Sequence, residues 1–234
     1  MGAIYRREVG AFFTSGVAYV FLSVFYLLSG YFFYAGVIGS GRTDTSPMFS
    51  SMFLIILFLI PILTMRLLSE EKKNKTDQGL LTAPVGLWDI VLGKYFAALT
   101  LFIIAESVVF IYSIFLAVLG DVVWTTLFGN YFAMLFLGSA FIAVGLFISS
   151  LTENQMASAV ASMLALFVLY LFDSFAVNIS NEYISKAITS LSFYSRYIEF
   201  TQGIFSLPSV VFFLSVAFLF NFFTVRVLDK RRWG

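Results

Sequence analysis

The sequence predicts an all-α integral membrane protein with six transmembrane helices, an N-terminal amphipathic interfacial helix, a charged cytoplasmic loop and an outer re-entrant helical segment before the last span. Composition is the first reason. Of 234 residues 60% are hydrophobic and 12% charged, which leaves too little polar surface to cover a soluble core. Apolar length is the second. A spanning helix needs about 20 mostly apolar residues, and six stretches qualify: 16–38, 49–68, 95–119, 131–151, 156–178 and 208–228. The third is the placement of Lys and Arg. Counted on alternate sides of six spans, Arg6, Arg7, Arg66, Lys72, Lys73, Lys75, Lys94, Arg226, Lys230, Arg231 and Arg232 face Arg42, Lys186 and Arg196, eleven against three. The positive-inside rule then puts both termini and the 66–94 loop in the cytoplasm.

Residues 1–15 place Tyr5, Val9, Phe12 and Phe13 on one arc, with Arg6 and Arg7 opposite, the pattern of a helix lying along the membrane surface. The first span is too long for a signal-peptide core and is read as retained. After it, Gly36 to Thr43 fits G-x-x-x-x-G-[KR]-T. Arg42 stands where a phosphate-binding loop has Lys, and neither a strand nor an acidic metal ligand frames it, so the stretch reads as a Gly-rich turn leaving a helix.

The fourth and fifth spans are rich in small residues: Gly138, Ser139, Ala143 and Gly145 on one, Ala157, Ala161 and Ala165 on the next. Small side chains let backbones pack closely where lipid removes the hydrophobic drive between helices. The outer stretch 179–207 is too polar to span. Ile184, Ile188 and Leu191 recur at helical spacing, which suits one or two short helices ending near Gly203, before Pro208 opens the last span.

With no Cys and no His, disulfides, thiolate chemistry, zinc proteolysis and Ser-His catalysis are excluded. No catalytic group and no metal site is expected. Two acids lie inside spans, Glu106 near mid-membrane and Asp173 nearer the outer end. They are the intramembrane polar candidates, and Glu106 is expected to be neutral or paired, since burying a charge there costs about 3 kcal/mol.

The 66–94 loop carries five Lys or Arg and four acids. Residues 67–75 extend the second span as a helix, with Glu71 spaced to pair with Lys75. Pro84 breaks direction, and 85–92 offers a short helix whose Leu87, Trp88, Val91 and Leu92 form an apolar cluster in a water-exposed loop, a surface to be received by either lipid or protein. Lys94 follows at the membrane edge.

These residues carry a family resemblance. Met65-Arg66, Glu70-Glu71-Lys72, Leu80 to Val85 and Trp88 to Lys94 resemble the loop of ABC-2 type transporter permeases, most closely the small six-span bacterial branch with the gliding-motility type permeases. The resemblance runs over the whole chain, 1–234, as one transmembrane domain. It departs at Lys75-Thr76-Asp77-Gln78-Gly79, where relatives have Gly-Thr-Leu-Glu. It implies a permease subunit, an exporter, of the bacterial inner membrane, driven by separate ABC ATPase subunits that hold ATP and Mg²⁺; this chain itself holds no cofactor and is no enzyme. It also implies a second permease copy, as a homodimer or related heterodimer, and leaves room for a membrane-anchored auxiliary subunit. The lipid bilayer is a partner and nucleic acid is not. The coupling residues it implies are Glu70, Glu71, Pro84, Leu87, Trp88, Asp89, Val91, Leu92 and Lys94. Two other readings compete: a mechanical transmitter acting on an auxiliary extracytoplasmic subunit without transport, and an intramembrane enzyme using Glu106 and Asp173 as acid and base.

Overall fold

The structure, a computed structural model, describes residues 1–41, 44–82, 84–119, 123–177, 191–204 and 206–233, with the side chains of 80–82, 119, 173–177 and 233 set aside. Among the described residues it is all helix with no strand, and six helices are long and apolar enough to cross a membrane. Helix α1 (Gly2–Thr14) leads through a turn at Gly16 into α2 (Val17–Phe33), which closes in a π-helical turn at Tyr34–Ile38. The Gly-rich stretch thus leaves a helix, and its Arg42 and Thr43 lie outside the described residues. The second span is α3 (Ser46–Thr64), followed by the short α4 (Ser69–Lys73) and α5 (Asp77–Thr82).

The third span differs from expectation in two ways. It begins at Leu87, so the separate short helix expected over 85–92 is instead the opening of α6 (Leu87–Glu106). Pro84 interrupts the preceding helix and Gly86 is extended at the start of the next, whereas the residues after them, largely apolar apart from Asp89 and Lys94, go straight into the bundle. The span is also broken, because a turn at Ser107 separates α6 from α7 (Val108–Leu119). The remaining spans are α8 (Trp124–Leu151), α9 (Gln155–Val177) and α11 (Leu207–Trp233), with α10 (Phe193–Thr201) before the last.

Helix α8 is the axis of the packing, touching α3, α6, α9, α10 and α11. Its most apolar stretch is 72% buried, against 28% for α2, 28% for α11 and 22% for α9, which puts those three at the periphery. The small residues explain why α8 is central. A Cβ on Gly138 would sit 2.2 Å from the Phe102 ring of α6, and one on Gly145 would sit 2.2 Å from the Thr64 hydroxyl of α3. In lipid such close van der Waals contact is what holds helices together.

On the end away from the charged loop, α10 is built into the bundle. Ser192 caps it by accepting from the Ser195 amide at 3.1 Å. Phe193, Tyr197 and Phe200 are buried, and the Tyr197 hydroxyl donates to the Phe49 carbonyl of α3 at 2.8 Å. Phe53 is the hub of an aromatic cluster with Phe141, Tyr170, Tyr194 and Tyr197. Ile184 and Ile188, which suggested a further outer helix, lie outside the described residues.

Candidate functional site: an ionic knot beneath the bundle

Three segments meet at the charged end, and the charges that join them come from α1, α4 and α6. Lys94, in the second turn of α6, is fully buried. Its ammonium lies 3.0 Å from Glu8 Oε1 and 2.9 Å from Glu71 Oε1. Arg7 lies outside these two acids and binds the same oxygens, at 2.6 Å from Glu8 and 2.5 Å from Glu71. Two cations and two carboxylates thus alternate in a closed four-membered circuit. Glu71 Oε2 is buried and has no hydrogen-bond partner among the described residues.

Local sequence puts each group there. Helix α1 lies on α6 with Ile4 buried against Gly93, where a Cβ would meet Ile4 Cγ2 at 3.0 Å. That contact brings Glu8, one turn on, over Lys94. Burial alone would raise the Glu8 carboxyl, but the Lys94 charge and the hydrogen bonds from Arg7 and Lys94 outweigh it and hold it below the ordinary carboxylate range. For Arg7 burial acts downward, and the hydrogen bonds and charges of Glu8 and Glu71 more than reverse it. The pairing thus favours the charged forms of Glu8 and Arg7 and gives the buried Lys94 ammonium two carboxylate partners, without which its burial would be costly.

Beside the knot opens a cleft of about 290 Å³, whose wall also includes Arg66, Glu70, Asn74 and Thr76. Arg66 pairs with Glu70 at 2.9 Å and bonds the Ser15 hydroxyl at the α1–α2 corner. The turn from α3 to α4 is held by Ser149 near the end of α8. Its hydroxyl accepts from the amides of Leu68 at 3.2 Å and Ser69 at 3.1 Å, and donates to the Met65 carbonyl at 3.0 Å. Those are the groups a helix end leaves without intrahelical partners. Lys72 reaches Glu153 in the α8–α9 turn at 3.2 Å, and Arg231 of α11 donates to the Ser150 carbonyl. Among the described residues no group of three acids is placed to hold a metal. Its chemistry is mechanical: it fastens the 66–94 stretch to the corner before the first span, the third span and the end of the fourth.

The predicted site residues therefore fall into different places. Glu70, Glu71 and Lys94 come together around the cleft. Glu71 does not pair with Lys75, as its spacing suggested. It turns inward to Lys94 and Arg7, while Lys75 leaves the helix with φ of 55°. The apolar cluster expected on a water-exposed surface is dispersed over the first turns of α6. Val91 is buried in the bundle, Leu87 packs on its core, and Trp88 stacks on Phe218 of α11 with ring centroids 6.0 Å apart. These side chains are apolar because they enter the bundle and its lipid-facing rim. Asp89 sits 3.3 Å from the Met1 amino group, and Pro84 is exposed between α5 and α6.

Glu106 ends α6 immediately before the break at Ser107. It is fully buried, and neither carboxyl oxygen has a hydrogen-bond partner among the described residues. Asn130 of α8 is likewise buried with both amide atoms unpartnered, and Tyr131 and Tyr197 lie within electrostatic reach of Glu106. Asp173 falls on α9, and its side chain lies outside the described residues.

Sequence reasoning missed Glu8 and Ser149. Glu8 left a signal: it follows Tyr5 by three residues and precedes Phe12 by four, so it is an acid on the apolar face of an amphipathic helix. Ser149 left none.

No curated protein matches this chain. The family profile described as "ABC-2 family transporter protein" matches residues 3–225. With six spans gathered round α8 and a charged stretch bolted beneath them, the chain belongs to the ABC-2 family of transporter membrane proteins.

Proposed function

We propose that this membrane permease of an ABC transporter is half of an exporter, and that the 66–94 stretch together with α1 receives a separate ABC ATPase. Members of this family are transport components without a nucleotide-binding domain, so ATP and Mg²⁺ belong to the ATPase. In this reading both termini and the knot face the cytoplasm of a bacterial inner membrane, a second permease copy completes the pathway, and an auxiliary subunit is an optional addition. Glu70, Asn74 and Thr76 on the rim of the cleft offer the docking contacts. Glu71 and Lys94 carry the displacement inward.

One observation supports this reading above the others: the buried Lys94 circuit joins α4 in the charged stretch directly to α1 and α6. A push on α4 cannot be absorbed by a slack loop. It must move the third span or break a buried ion pair, and the latter costs about 3–5 kcal/mol. An ATPase that closes on ATP would use that stiffness to bias two packings of the bundle.

The experiment is co-purification of the ATPase with the wild-type permease and with a chain whose residues 69–82 are replaced by a Gly/Ser linker, alongside ATP hydrolysis in vesicles. Loss of the ATPase from the linker variant, with the six spans still inserted, is the expected result. Full retention of ATPase binding and of cargo-stimulated hydrolysis would overturn the docking assignment.

A further inference from the structure

An apolar groove of about 330 Å³ runs between α6, α8 and α11, on a face of the bundle that the transport reading does not use. Leu99 and Ile103 of α6, Leu135 and Phe136 of α8, and Leu214 and Phe218 of α11 line it. Ile103, Leu214 and Phe218 are exposed, so the groove opens sideways, at the depth of three membrane spans, toward hydrocarbon. At the charged end, aromatic rings close it in a ladder. Trp88 stacks on Phe218 at 6.0 Å and meets Phe222 at 6.4 Å, and the Arg226 guanidinium lies over the Phe222 ring at 5.1 Å. Asp229 lies 3.8 Å from Arg226, in an exposed pair whose attraction water screens.

Read along α11, the order is an alkyl slot, then interfacial aromatics, then a cation, with Lys230 one turn further on. That sequence of environments matches an amphiphile with an acyl tail and a negatively charged headgroup. We propose that the groove is a binding site for an anionic phospholipid, its acyl chain between Ile103, Leu135 and Leu214, its glycerol region against Trp88 and Phe222, and its phosphate on Arg226. A second copy of the chain fits this face less well. A two-fold contact centred on the ladder would set the basic end of α11 against its own mate, with like charges opposed.

The test is photolabelling in nanodiscs of phosphatidylcholine, doped with trace phospholipids that carry a diazirine in the acyl chain and either a phosphatidylglycerol or a phosphatidylcholine headgroup. Peptides containing Ile103 and Leu214 should be labelled about fivefold more by the anionic probe, the preference that one interfacial arginine confers. Arg226→Gln should remove that preference while leaving acyl labelling in place. Ala217→Trp, which fills the wall, should abolish labelling by both probes, with thermal melting confirming a folded protein. Should that variant fail to fold, Leu214→Trp fills the groove from its exposed side. Equal labelling by the two headgroups, or labelling that survives filling of the groove in a folded protein, would overturn the assignment. So would efficient cross-linking between copies through cysteines at Phe96 and Phe218.

Discussion

Glu71 of α4 meets Lys94 of α6 inside the protein, Oε1 to Nζ at 2.9 Å, although nothing in their sequence spacing pairs them. Glu8 takes the same ammonium at 3.0 Å. Lys94→Ala leaves two neighbouring carboxylates with only the half-exposed Arg7 to balance them. It should destabilise the protein by about 3–5 kcal/mol, the range for breaking a buried pair from one side. A melting curve in detergent checks this, and wild-type melting in the variant would show that the knot bears no structural load.

Acid should loosen the same site. Because Glu8 is held below its usual value, its ionic contribution is complete above about pH 4.5 and is lost as pH falls through the lowered folded value. Wild-type melting temperature should therefore drop on acidification below about pH 4.5, and the drop should be shallower in Glu8→Gln. Parallel pH profiles for the two proteins would remove Glu8 from the acid response.

Trp88 belongs to the packing of α6 on α11. Trp88→Ala should lower stability by about 1 kcal/mol, the worth of an aromatic pair, and should leave the ATPase attached. Pull-down of the ATPase measures it directly. Its disappearance would return Trp88 to the docking surface that the bare sequence suggested.

Among the described residues the buried Glu106 carboxyl has no hydrogen-bond partner. Glu106→Gln preserves its shape and should leave expression and assembly near wild type. Glu106→Lys places an ammonium in the middle of the bundle and should sharply reduce the yield of folded protein. Size-exclusion profiles of the two variants decide it, and a well-behaved Lys variant would mean that the residue reaches water.

The orientation can be read by labelling single cysteines in this Cys-free chain. A Cys at Ser40 should react with an impermeant reagent added outside intact cells. One at Asn74 should react only after lysis. The reverse pattern would invert every assignment of sides.

How much of this was legible in the sequence depended on the kind of signal. Spans are visible because apolar length is a local property, and the Gly138 and Gly145 stripe announced the crowded face of α8. Helix α6 starts at Leu87, ahead of the span expected from Tyr95, because hydropathy around Trp88 does not say whether apolar residues enter a bundle or await a partner. The break at Ser107 was invisible, since no Pro or Gly marks it and Glu106 and Val108 on either side are both compatible with a helix. The knot was half legible. Lys94 and Glu71 stood out as charges beside a membrane, but their partner is set by how α1 lies on α6, a tertiary fact. Ser149 could not be picked out, because a serine in a helix of small residues looks like packing until its hydroxyl is seen holding Met65, Leu68 and Ser69.

In the proposed coupling, the turn at Ser107 and the Ser149 hydroxyl together would decide which helix acts as a pushrod. A rotation applied at Lys94 would travel up α6 to the joint at Ser107, where the interruption between α6 and α7 would let α7 stay behind. Helix α8 has no such joint. Its 28 residues make an unbroken rod about 42 Å long, gripped by the charged stretch through Ser149 at one end and packed against α10 toward the other. A tilt of the rod by a few degrees at its clasped end becomes a lateral shift at the opposite face, beneath the aromatic cluster of Phe53 and Tyr197. The stroke that opens the outer side would then be delivered by leverage along the fourth span, with the third span serving as the strut that keeps its foot in place.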